Sequence, residues 1–141
     1  MKNKIEIIAR ALILKKNRIL LCKAIGDRHY FLPGGRVEFG ESAPSALSRE
    51  LKEEMGVKSE TGSLIGICEH KYRAKDKKHH EINLVFRVTV VKIGLKSKEK
   101  KLKFYFKNLK EFKKLYFLPK NLKSALISYF KNKKFFYQFL Y

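Results

Sequence analysis

Residues 42–56, SAPSALSRELKEEMG, admit little besides a helix. Ser42 can cap it by accepting a backbone N–H. Pro44 falls in the first turn, where its missing N–H costs little, and Gly56 suits the left-handed residue just beyond the end. The spacing predicts a helix over Ala43 to Met55. Leu47, Leu51 and Met55 recur every four residues and form the stripe that pins it to a core. Glu50, Glu53 and Glu54 fall within about 100° of arc on one turn. Carboxylates this close repel, at roughly 0.2–0.5 kcal/mol per exposed pair. The pKa of at least one of them rises unless a cation is near. The cluster therefore favours a hard, oxygen-seeking divalent ion such as Mg²⁺, which keeps several waters and shares its ligation with substrate phosphates. Arg49 lies beside the cluster and can hold a carboxylate through a bidentate contact.

Strand signals flank this helix. Ile5 to Leu14 is apolar and β-prone, and Arg18 to Lys23 follows after the polar turn Lys15-Lys16-Asn17, so the pair reads as a hairpin. Tyr30-Phe31-Leu32 reads as a short strand ended by the breaker Pro33-Gly34-Gly35. Ser63 to Arg73 and Glu81 to Lys92 read as two strands around a polar, basic loop, and Leu102 to Phe106 as another. Helical stretches follow near Asn108–Leu115 and Pro119–Lys131. The apolar tail from Phe135 to Tyr141 is expected to dock on the core or on a partner. Strands first, a central helix, more strands and a terminal helix make a mixed α/β or α+β domain.

The chain has 141 residues, enough for one domain with one core. Apolar stretches near the N-terminus are broken by Glu6, Arg10 and Lys15-Lys16. None reaches the length that crosses a bilayer or ends in a signal-peptide cleavage site. Two cysteines, Cys22 and Cys68, are too few for a disulfide scaffold. A cytoplasmic, single-domain protein over 1–141 is expected. The net charge of +20 is unevenly spread: residues 92–141 hold 15 lysines, no arginine and only Glu99 and Glu111. Such a surface attracts phosphate-bearing partners, RNA included, although lysine is also the ordinary exposed cation.

The segment Gly35 to Val57 resembles the Nudix box, Gly-x5-Glu-x7-Arg-Glu-U-x-Glu-Glu-x-Gly-U with U aliphatic. Gly35, Glu41, Arg49, Glu50, Leu51, Glu53, Glu54, Gly56 and Val57 meet every specified position. More weakly, Leu118-Pro119-Lys120-Asn121-Leu122 is similar to the opening of that family's closing helix. The resemblance implies an α/β/α sandwich with a mixed central sheet. It implies hydrolysis of a nucleoside diphosphate linked to another group, with Mg²⁺ or Mn²⁺. By position, Glu50 and Glu54 match metal ligands, and Glu53 a carboxylate that binds metal or activates water. The Gly35 carbonyl matches a backbone ligand. Arg49 matches the residue that orients the glutamates, with Glu41 in support. A general base outside the box is expected at Glu99, with Glu81 as the weaker alternative.

The chemistry agrees with these residue types. Water attack on a pyrophosphate needs the phosphate oxygens neutralised and the nucleophile deprotonated, which carboxylate-held metal supplies. A positioned carboxylate taking the proton adds about 10²–10⁴ in rate. Gly34 lets backbone approach the phosphates without a Cβ in the way, and Arg36 is placed to contact one. His70, His79 and His80 with Glu69 and Glu81 suggest zinc at first sight. Adjacent strand residues point to opposite faces, however, and zinc needs converging ligands. Tyr30, Phe31, Tyr72 and Phe106 are each as suited to the core as to stacking a nucleobase. The partner expected is a nucleotide-type small molecule, a nucleoside triphosphate or a nucleoside diphosphate derivative, with no membrane. RNA is a second substrate through 5′-pyrophosphate removal. A non-catalytic RNA-binding or sensor module is disfavoured, because an unused acidic cluster costs stability.

Overall fold

The computed structural model describes residues 3–91 and 100–139. Glu99 and Lys92, both singled out above, lie outside them. In chain order the elements are β1 (Ile5–Leu12), β2 (Leu14–Lys15), β3 (Arg18–Ala24), β4 (Gly34–Arg36), α1 (Ala43–Met55), β5 (Ser59–Ala74), β6 (Lys77–Val90), β7 (Leu102–Asn108), α2 (Leu109–Lys114), α3 (Lys120–Asn132) and β8 (Phe136–Phe139). Among the described residues the strands form a five-stranded sheet, β4-β1-β6-β5-β8, and a three-stranded sheet, β2-β3-β7. The larger sheet is mixed. β1 runs parallel to β6 and β8 parallel to β5, while β4–β1 and β5–β6 are antiparallel.

A helix covers each face of that sheet. On one side Leu47, Leu51 and Met55 of α1 pack on Ala9, Ala11, Phe86 and Val88. On the other, Leu122, Ala125 and Leu126 of α3 pack on Leu12, Cys68, Val85 and Phe136. The α/β/α sandwich and mixed sheet implied by the resemblance are the observed architecture. Helix α1 has the expected bounds. The Ser42 side chain accepts from the Ser45 backbone N–H, and Gly56, at φ 69°, sends its N–H to the Lys52 carbonyl.

Three local expectations are corrected. The first concerns the N-terminal hairpin. Only Leu14 and Lys15 pair back with Ile19 and Arg18, around Lys16 and Asn17 at φ 51° and 62°. The body of β1 lies between β6 and β4 instead. Its Ile8, Ala9, Ala11 and Leu12 are buried on both faces, as an interior strand of a two-sided sheet requires.

The second is Pro33-Gly34-Gly35, which does not end the sheet. Gly34 and Gly35 pair with Arg10 and Ala9 as part of β4. Gly34 sits at φ 142°, and a Cβ there would strike the Ala9 carbonyl, so only glycine lets this edge strand approach so closely.

The third is the basic loop between Arg73 and Glu81, which is mostly strand. β5 and β6 zip together as far as Ala74 and Lys77 and close through Lys75 and Asp76 at φ 51° and 63°. Both central residues at positive φ make the two-residue turn that matches strand twist. The tail docks as β8: the Phe136 ring fills the space where Gly66 of β5 has no Cβ.

Candidate active site

The box residues come together where β4 turns into α1. The Val37 N–H donates to the Ile7 carbonyl at 2.9 Å, anchoring the loop to β1. The Glu38 N–H donates to Glu41 Oε1 at 2.9 Å, which fixes the Glu41 side chain. Arg49 then joins loop and helix. Its Nε donates to Glu41 Oε2 at 3.2 Å and its Nη2 to Oε1 at 2.7 Å, a bidentate fork. Nη2 also donates to the Arg36 carbonyl at 3.0 Å, and Nη1 to Glu50 Oε1 at 3.0 Å. Glu53 lies at 3.4 Å from Nη1. One guanidinium thus touches three of the box carboxylates and the β4 backbone.

The glutamates differ in setting. The Glu53 side chain is 56% exposed and that of Glu50 19%, while Glu54 is buried at 5%. A Cβ on Gly35 would run into the Glu50 carboxylate, so this glycine makes room for that group. Burial pushes the Glu50 carboxyl above its ordinary pKa, against the opposing pull of Arg49. The Arg49 hydrogen bond, with the Glu38 N–H second, holds Glu41 below the usual carboxylate range. The hydrogen bond to Glu41 leads in raising the Arg49 pKa further above its already high value. Burial, followed by the Glu54 charge, pushes the Cys22 thiol well up.

Among the described residues no three His, Cys, Asp or Glu side chains are gathered as a ready metal-binding group. Arg49 draws Glu50 and Glu53 onto itself. The donors are all hard oxygens, and a Mg²⁺-like ion needs only one or two protein carboxylates beside water and phosphate. Glu50, held partly buried over Gly35 with its charged form disfavoured, is the kind of group a cation would relieve. The set fits such an ion.

The remaining sequence candidates fall elsewhere. Gly34 and Gly35 lie in β4 beside the loop. Arg36 pairs with Glu6 at 2.7 Å and borders an open cavity. Glu81 sits on β6 opposite His70 and Glu6, and accepts from the Tyr72 hydroxyl at 3.3 Å. His70 and His79 stack on Tyr72, while His80 is 3.9 Å from Glu69. Burial lowers the His70 pKa.

A polar network beside Gly34 was missed. Arg10 donates to Asn83 Oδ1 and to the Leu32 carbonyl, both at 3.1 Å, and the fully buried Asn83 donates to the Cys68 carbonyl at 3.3 Å. The signal for it in the sequence is an arginine and an asparagine inside the locally apolar stretches 7–12 and 82–86, since buried polar groups need partners.

Sandwich and box together define a domain that presents a carboxylate-bearing helix at a sheet edge. The chain matches the NUDIX domain over residues 5–131 and belongs to that family. An ADP-ribose pyrophosphatase from Methanocaldococcus jannaschii is 36% identical over 109 residues, 75% of this chain and 63% of that protein. An RNA pyrophosphohydrolase from Ruthia magnifica is 42% identical over 50 residues, 36% of this chain and 28% of that one. The chain therefore spans less than two-thirds of the length of these curated relatives. Among solved structures, the MutT protein from Methanosarcina mazei Go1 superposes with a TM-score of 0.76 at 24% identity, covering 95% of this chain and 99% of that one. No helix among the described residues is long and apolar enough to cross a membrane.

Proposed function

We propose that this chain hydrolyses the pyrophosphate bond of a nucleoside diphosphate derivative, using Mg²⁺ or Mn²⁺. The observation that carries the reading is the Arg49 junction. It joins Glu41, Glu50 and Glu53 at one corner, over a glycine whose missing side chain leaves room for Glu50. The activity for which the Methanocaldococcus relative is named supports the same bond as substrate.

Glu50, Glu53, Glu54 and the Gly35 carbonyl would hold the cation, with Arg49 yielding Glu50 and Glu53 to it. When bound, the ion neutralises phosphate oxygens and acidifies the attacking water. The residues of the chain do the rest. Arg49 and Glu41 fix the pitch of the loop against α1, which keeps the carboxylate-bearing turn beside the β4 backbone. Gly34 lets β4 close on Ala9, and Gly35 leaves the room that the Glu50 carboxylate occupies. Glu53, the most exposed of the three, or Glu99 takes the water proton. Arg36 contacts phosphate once released from Glu6.

A second reading with the same chemistry is removal of pyrophosphate from an RNA 5′ end. The lysine excess over 92–141 and the activity for which the Ruthia relative is named favour it.

The test is product release across sugar nucleotides, nucleoside triphosphates, dinucleoside polyphosphates and 5′-triphosphate RNA, with Mg²⁺, with Mn²⁺ and with chelator. Running it in ¹⁸O water locates the attacked phosphorus. Turnover that survives chelation unchanged sinks the reading. Glu53→Gln and Glu99→Gln separate the two bases: the true base loses the acidic limb of the pH–rate profile.

A further inference from the structure

The β5–β6 hairpin outruns its neighbours. The first β1–β6 pair is Ile5 with His80, and β8 joins β5 only over Gly66 to Glu69. The pairs Tyr72–His79, Arg73–Lys78 and Ala74–Lys77 therefore form a two-stranded arm with no further strand beside it among the described residues. Residues 71–80 carry Lys71, Arg73, Lys75, Lys77 and Lys78 against a single acid, Asp76. The arm also holds flat rings. His70 and Tyr72 stack at 4.7 Å and 22°, Tyr72 and His79 at 4.7 Å and 9°.

Two open cavities border these residues. The larger, about 1130 Å³, runs from Arg36 and the fully exposed Phe39 on the loop before α1 to Arg73, Lys77, Lys78 and His79 on the arm. The smaller, about 430 Å³, is lined by Lys4, Lys71, Tyr72, Lys78 and His79 among others. The larger exceeds the roughly 300–1,000 Å³ usual for a small-molecule site. Its acids are few: Glu6 is tied to Arg36, leaving Glu38 and Asp76.

We propose that the β5–β6 arm, with the cavities it lines, is a docking surface for a single-stranded nucleic acid. Lysines and an arginine follow the phosphates, while the outer His79 end of the His70–Tyr72–His79 stack and the exposed Phe39 offer faces to unpaired bases. Cations interleaved with stacking rings are the combination by which single strands are held without sequence preference. An acidic peptide brings charge without a regular run of aromatic bases to match the rings, and bare polyphosphate uses only the cations. The placement differs from the one suggested by charge alone, because the lysine-rich segment 92–141 contributes no residue to either cavity among those described. Docking is independent of turnover, so it stands or falls apart from the hydrolase reading.

The experiment is fluorescence anisotropy of the full chain with a labelled single-stranded RNA of about 12 nucleotides, in chelator, over a range of salt. Lys77→Ala with Lys78→Ala should weaken binding at least about tenfold and flatten the log–log salt dependence by about 0.7 for each phosphate no longer neutralised. Tyr72→Ala with His79→Ala should weaken it about tenfold while leaving the salt slope in place. Lys113→Ala with Lys114→Ala removes equal charge from α2 and should leave affinity within about twofold. Melting curves confirm that each variant is folded. Equal weakening by the arm and α2 pairs, competition by polyphosphate or an acidic peptide as strong as by RNA, or no binding at low salt would each overturn the proposal.

Discussion

The loop–helix corner at Glu41–Glu54 and the β5–β6 arm handle like charge in opposite ways. At the corner one guanidinium draws three carboxylates together, Glu41 and Glu50 through directed hydrogen bonds of 2.7–3.2 Å and Glu53 at 3.4 Å. On the arm five cations stand on exposed positions with a single acid between them, and order comes from ring stacking and ladder pairing. Clustered charge is tolerable when a counter-charge neutralises it or when water screens it. The corner takes the first course and so becomes a precise site. The arm takes the second and so leaves its cations open to solvent.

The largest expected effect breaks the corner. Glu53→Gln should lower kcat at least about 100-fold with the melting temperature little changed in metal-free buffer, because the exposed Glu53 loses both its repulsion with Glu50 and its 3.4 Å contact to Arg49. Equal turnover under saturating Mg²⁺ would contradict the assignment. Gly35→Ala should come next. The new Cβ displaces the Glu50 carboxylate, and a shift of about an ångström costs on the order of tenfold to 100-fold in kcat/KM. Calorimetry should show much weaker Mg²⁺ binding than in the parent.

Arg49→Lys is smaller and sharpens the contrast in stability. Loss of the fork to Glu41, on a side chain one-third exposed and screened by water, should lower Tm by no more than a few degrees. Glu41 is held acidic by that fork, so its contribution is present above the ordinary carboxylate range and fades as pH falls through the lowered value. The Tm difference between parent and variant should therefore shrink in acid.

The smallest effect belongs to the arm. Burial, then the Glu81 charge and its hydrogen bond, push the Tyr72 phenol up to about 12. The sign is that of a raised group: its contribution is intact at neutral pH and is lost as pH rises past 10 through about 12. An ultraviolet titration should show one phenol ionising late, and Tyr72→Phe should remove that step with little change in Tm at neutral pH.

What could be read from the chain alone was whatever depends on neighbours in sequence. Ser42, Pro44 and Gly56 fixed the limits of α1 because caps act within four residues. The 100° arc of Glu50, Glu53 and Glu54 followed from helical pitch. The family match over 5–131 takes in that same stretch of local chemistry. Partners distant in sequence are another matter. The polar turn after β1 is visible and suggests a hairpin, whereas the pairing of β1 with β6, some 75 residues on, leaves no local mark. Pro33-Gly34-Gly35 looks like a stop because glycine breaks isolated strands. Here the lack of a side chain is what brings β4 against Ala9.

Sequence by itself thus determined the helix, its acidic turn and the resemblance to one family. Tertiary structure decided that Arg49 reaches Glu41 and Glu50 at once, that Glu54 is buried while Glu53 faces water, and that the basic segment after Arg73 is a paired ribbon. The physical reason is range. Capping, pitch and i,i+4 repulsion act along a few residues, while burial and register are settled only when distant strands compete for the same core.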